Sequence, residues 1–82
     1  MFMVQANCTV ILFDSTHQAM SGEMVLKHAG IKHAVISTPR EFSVSCGISL
    51  RIAPELEEKA RHALDEGGVV WVGMEPYRSR WI

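Results

Sequence analysis

Two thiols, Cys8 and Cys46, are the softest nucleophiles in this chain. Cys46 closes the stretch Thr38-Pro39-Arg40-Glu41-Phe42-Ser43-Val44-Ser45-Cys46-Gly47, a polar run broken by proline, with Arg40 before it and Arg51 after it. A thiol that is partly exposed in such a loop and lies near positive charge favours the thiolate, the reactive form. Ser43 and Ser45 offer hydroxyl donors to that sulfur, and Gly47 frees the backbone for an unusual turn. The chemistry these residues suit is that of an activated, nucleophilic thiolate at Cys46, with Arg40, Arg51, Ser43, Ser45 and Gly47 in support. The bland reading stands beside it: free cysteine is commonly buried, and Cys46 is then a small apolar residue that packs the loop. Cys8, next to Val10 and Leu12, reads as packing.

Other chemistries find less support in the sequence. The four histidines do not repeat at ligand spacing, and zinc needs three or four convergent ligands, so no metal is expected. His28 and His33 straddle Gly30 at a helix-to-strand turn, and His17 falls in a first helical turn, where a surface position is the simpler account. The backbone N–H groups from Thr16 to Gly22 form a generic anion site but lack a glycine-rich phosphate loop. Glu55, Glu57 and Glu58 look like charges placed at a helix start, not a pair of catalytic carboxylates. No cofactor is expected.

Eighty-two residues make one domain, with a core over about 7–74 and a C-terminal tail over 75–82. The 48% hydrophobic share is that of a folded chain, and a net charge of −1 with no basic face argues against nucleic acid as a partner. No apolar run approaches the ~20 residues that span a bilayer, and the first residues lack the pattern of a secretory signal. A cytoplasmic protein without a membrane partner is expected. A reducing compartment then keeps both cysteines as thiols and makes a Cys8–Cys46 disulfide unexpected.

The elements that must position the thiols follow from apolar periodicity and punctuation. Cys8 to Phe13 is a short, β-branched apolar run that reads as a central strand. Ser15 or Thr16 caps a helix, with Gln18 placed to complete a capping box, and Gly30 ends it. Gly22 inside that helix costs about 1 kcal/mol against alanine and calls for close packing or a ligand. Lys32 to Ser37 is a second strand, the polar loop follows, and Gly47 to Ile52 alternates as a third, with Ile48, Leu50 and Ile52 on one face and Gly47, Ser49 and Arg51 on the other. Pro54 opens a second helix whose Leu56, Ala60, Ala63 and Leu64 form an apolar stripe, and Gly67-Gly68 ends it. Val69 to Met74 reads as the fourth strand. Trp71 is expected to pack on the sheet, and Tyr77 and Trp81 to cover an edge or a partner surface.

The order βαββαβ has few compact solutions. Right-handed crossovers lead to an α+β, ferredoxin-like sandwich: an antiparallel sheet of order 4-1-3-2 with both helices on one face. Strands 1 and 3 are then central, and strand 2 is an edge.

The residues Phe13, Ser15-Thr16, Ala19-Met20, Lys27, Gly30-Ile31, Thr38-Pro39-Arg40 and Ser45-Cys46-Gly47-Ile48-Ser49-Leu50-Arg51 form a pattern that resembles a family of small bacterial selenium- or sulfur-carrier-like proteins. The resemblance covers roughly residues 8–74, and Thr-Pro-Arg…Cys-Gly is its most specific part. It implies a carrier thiol at Cys46 with Arg40 and Arg51 near it. Ser37 departs from the Pro-Thr-Pro-Arg form of the family, and Cys46 lacks the Cys-Pro-x-Pro setting at a helix start found in known sulfur-relay carriers.

Two functions follow as expectations. The first is a sulfur or selenium carrier, loaded as a persulfide by a cysteine desulfurase or another selenium- or sulfur-transfer enzyme and unloaded by an acceptor enzyme. The second is a regulatory or interaction module that forms a homodimer through a sheet edge or the tail. A stand-alone enzyme ranks behind both, because no base or second catalytic group is paired with Cys46 in the sequence.

Overall fold

A computed structural model of the chain describes residues 7–42 and 44–78. In chain order it contains β1 (Cys8–Leu12), α1 (Thr16–His28), β2 (Ala34–Ser37), β3 (Ile48–Ile52), a 3-10 turn (Pro54–Leu56), α2 (Glu57–Glu66) and β4 (Gly73–Tyr77). All strand pairs are antiparallel and the spatial order is β2-β3-β1-β4, the expected 4-1-3-2 counted from the other edge. Ala19 and Leu26 of α1 and Ala60 and Leu64 of α2 meet Ile11, Leu50 and Ile52 in one core cluster, which puts both helices on the same face of the sheet. The fold is the α+β, ferredoxin-like sandwich.

Strand register assigns the faces. Ile11 lies opposite Leu50, and Leu50 opposite Val35, so this row faces the helices. Val10, Arg51 and Ala34 form a row on the other face, called here the open face. Alternation then puts Cys8 and Leu12 of β1, Ser49 of β3 and Tyr77 of β4 on the open face as well.

Local chemistry explains where the elements stop. The Ser15 hydroxyl accepts the Gln18 N–H at 3.2 Å and caps α1. The Gln18 side chain does not return to complete a capping box: its Oε1 accepts the Val70 N–H at 3.0 Å, tying the start of α1 to the approach to β4. Gly30 leaves the helix with φ 72°, the left-handed conformation in which glycine avoids a Cβ penalty. His33, just before β2, places its two ring nitrogens 2.8 Å from the Ile31 carbonyl and 2.9 Å from the Glu23 carboxylate, which fastens β2 to α1. Thr9, buried in β1, donates its hydroxyl to Glu57 in the first turn of α2.

Gly22 is a matter of packing. A Cβ there would lie 2.9 Å from the Phe13 ring, and Phe13 is fully buried. Pro54 opens a single 3-10 turn before α2 begins at Glu57.

The fourth strand departs from the sequence reading. It spans Gly73–Tyr77, not Val69 to Met74, so residues 75–77 of the expected tail belong to the sheet. The apolar run ahead of it is spent on other bonds: the Val69 amide goes to the Leu64 carbonyl, the Val70 amide to Gln18, and the Val72 amide to the Leu12 carbonyl at 2.7 Å. Val69 and Trp71 still pack on the core, while Val70 and Val72 point outward. Pro76 is tolerated inside β4 because that strand is an edge with one unpaired side. Arg78 is the last described residue, and Trp81 lies outside the described residues.

Candidate functional site: a buried loop thiol

The segment between β2 and β3 begins where Thr38 extends their pairing. Its N–H donates to the Gly47 carbonyl at 2.9 Å, and its hydroxyl donates to the Cys46 carbonyl at 2.9 Å. The same oxygen lies 2.6 Å from the hydroxyl of Ser49. Having one hydrogen, already given to Cys46, Thr38 accepts there and Ser49 donates. Ser49 is fully buried, and Thr38 thus satisfies it and pins both ends of the loop at once.

From this clamp the loop runs over the sheet. Phe42 meets Tyr77 edge to face, with ring centroids 5.9 Å apart. The loop leaves at the Ser37–Ile48 end of the sheet, whereas Tyr77 pairs with Cys8 at the other end. The Phe42 ring therefore reaches the open face of the sheet, the face on which Val10 and Leu12 are buried.

Cys46 ends the loop and turns toward the helices. It is 4% exposed and joins the core cluster that contains Ile11, Phe13 and Leu50. The backbone of Ile48 brackets its sulfur: the thiol donates to the Ile48 carbonyl at 3.2 Å, and the Ile48 N–H points back at Sγ from 3.4 Å. Of the two readings the sequence leaves open for Cys46, a partly exposed thiol and a small residue packed into the core, the structure has the buried one.

The supporting residues scatter. Arg40, Ser45 and Gly47 are exposed on the loop, and Ser43 lies outside the described residues. Gly47 has ordinary φ and open space around it, so it makes no left-handed turn. Arg51 stands on the open face beside Val10 and Ala34, on the opposite side of the sheet from Cys46 and three residues along β3 from Ile48, or about 10 Å. The structure joins Cys46 to Ile48 and, through Thr38, to Ser49; Arg51 shares the open face with Ser49 but lies on the other side of the sheet from the Cys46 thiol. Thr38 was visible in the sequence as part of the Thr-Pro-Arg motif, but its bonds span 8 and 11 residues and no local spacing announces them.

Arg51 instead lines a cavity of about 450 Å³ with Cys8, Lys32 and Ala34 at the far end of the sheet. Cys8 is 1% exposed and its thiol donates to the Tyr77 carbonyl at 3.2 Å. Both cysteines are free thiols. Among the described residues no group of three His, Cys, Asp or Glu side chains could hold a metal ion, and no helix is long and apolar enough to cross a membrane.

A ferredoxin-like sandwich with a single thiol at the end of its β2–β3 loop defines a class of small thiol-bearing domains. The chain belongs to the family described as "Putative Se/S carrier protein-like", whose model matches residues 7–75. That span takes in the loop, both cysteines and nearly all of the sheet. No curated protein and no solved structure matches the chain.

Proposed function

We propose that the protein carries sulfur or selenium on Cys46. The observation that bears most on this reading is the bracketing of Sγ by the Ile48 backbone at the end of a long loop held shut by one threonine. The Ile48 N–H can donate to the sulfur in its thiol, thiolate or persulfide form, so a loaded atom keeps one of its partners. Family membership supports the same reading.

The step balances without an added oxidant. With the loop open, the Cys46 thiolate attacks the outer sulfur of a persulfide on a donor such as a cysteine desulfurase. A new S–S bond forms at Cys46, the donor's S–S bond breaks, and the donor leaves as a thiolate that takes up a proton. An acceptor nucleophile reverses the sequence and returns Cys46 to the thiol. The carrier needs a reachable thiol and little else, so a domain without a paired base suffices.

Mass spectrometry after incubation with a cysteine desulfurase and cysteine tests this. Wild type and Cys8→Ser should each gain one sulfur atom, and Cys46→Ser should gain none. An equal gain on Cys46→Ser would overturn the assignment.

One observation favours a second reading, the interaction module. Edge strand β2 (Ala34–Ser37) carries no proline or charge, and Val35 on it is half exposed, whereas the other edge holds Pro76. Such an edge is open to pairing with a second copy. Light scattering on wild type should then show a dimer that Val35→Lys converts to a monomer; a monomeric wild type removes this reading.

A further inference from the structure

We propose that the cavity at the Cys8 end of the sheet is a binding site for a small organic anion, an oxyanion head group joined to a short apolar body. The cavity holds about 450 Å³, inside the range of roughly 300–1,000 Å³ typical of small-molecule sites. Two of its walls are cationic, Arg51 on β3 and Lys32 just before β2, and among the described residues no aspartate or glutamate lines it. Among the described residues neither cation has a hydrogen bond or an ion pair. His33, which also lines the cavity, is engaged by the Glu23 carboxylate and the Ile31 carbonyl. Arg51 and Lys32 therefore present positive charge that no carboxylate among the described residues pairs at contact distance.

The positions of the charges give the ligand its shape. Arg51 sits on a central strand, paired on one side with Val10 and on the other with Ala34, so its stem is rigidly placed. It is only half exposed, and a partly desolvated guanidinium presents a planar fork that matches a carboxylate or phosphate in two parallel hydrogen bonds. Lys32 is exposed and adds a second point charge at the mouth. The rest of the lining is largely apolar, with Ile52, Ala53 and Leu56 contributing, and this favours an organic anion over an inorganic one. The cavity lies at the other end of the sheet from Cys46, so the proposal holds whether or not that thiol carries sulfur.

Titration of the isotope-labelled full chain by two-dimensional NMR tests it, with butyrate, butyl phosphate, inorganic phosphate and butylammonium as probes. Butyrate or butyl phosphate should give saturable shifts centred on the amides of Lys32, Ala34, Arg51 and Ala53. The probe that binds more tightly identifies the head group. Arg51→Gln should weaken binding by about tenfold or more, as expected for loss of a charge-assisted pair. Arg51→Lys should recover part of it, and Lys32→Gln should cost less than Arg51→Gln. If Arg51→Gln fails to give a dispersed spectrum, the lysine variant and Lys32→Gln carry the comparison. The proposal is overturned if neither butyl anion saturates at these amides, if butylammonium binds as well, if inorganic phosphate binds as tightly as butyl phosphate, or if the variants bind like wild type.

Discussion

Replacing Thr38 by valine keeps the shape of the side chain and removes its hydroxyl. The buried Ser49 hydroxyl then loses its acceptor and the Cys46 carbonyl loses a donor. A buried polar group left without a partner costs about 1–3 kcal/mol, so the urea midpoint should fall accordingly. The same change loosens the loop at its root, and Cys46 should react faster with an aromatic disulfide reagent under native conditions. A drop in stability with no change in thiol reactivity would show that the clamp supports the sheet but does not control the loop. Gly22→Ala tests packing in the same way. Alanine gains about 1 kcal/mol of helix propensity, but its methyl would sit 2.9 Å from the buried Phe13 ring. Overpacking costs about 1–3 kcal/mol, so the variant should be no more stable than wild type, and chemical denaturation decides. At this scale the sequence makes Cys46 conspicuous and hides its partners. Polar neighbours suggest exposure, yet Ser45 and Arg40 turn outward while the thiol, on the same face as Ile48 and Leu50, turns in.

The elements were more legible than the side chains because punctuation marks them directly. Ser15, Gly30, Pro54 and Gly67-Gly68 bound both helices, and the alternation of Ile48, Leu50 and Ile52 identifies the helix-facing side of β3. The Ser15 cap gives a simple check: Ser15→Ala should cost about 1 kcal/mol in a thermal or urea melt, with the helical signal retained. The fourth strand was misplaced for a definite reason. Val69-Val70-Trp71-Val72 has the composition of a strand, but Gln18 and the end of α2 capture two of its amides before the ladder can begin. Strand content passes instead to Gly73-Met74-Glu75-Pro76-Tyr77, whose proline argues locally against it and whose edge position permits it. A chain ending at Met74 should consequently lose most of an edge strand and unfold in far lower urea.

Across the whole molecule the two thiols differ in how they can be reached. Cys8 lies in β1, between β3 and β4, and its sulfur is bonded to the Tyr77 carbonyl. Cys46 ends a loop secured mainly at its root and at Phe42. Segments held by few contacts open with a small fraction of the global unfolding free energy. Cys46 should thus react at a rate nearly independent of low urea, and Cys8 at least roughly tenfold more slowly, with a steep dependence on urea. Peptide mapping after timed alkylation separates the two, and equal rates would mean that the loop does not open on its own.

The contact between Phe42 and Tyr77 makes the loop a lid with two clients. If that contact breaks and the loop lifts, the thiol at its end should become reachable, and the open face, where Val10 and Leu12 are buried, should gain exposed apolar surface. Water closes such a patch again, and a donor or acceptor protein that fits it would hold it open. Under the proposed carrier reading, partner affinity and thiol accessibility would then be two readings of a single equilibrium, and alkylation of Cys46 should speed up when a partner is added.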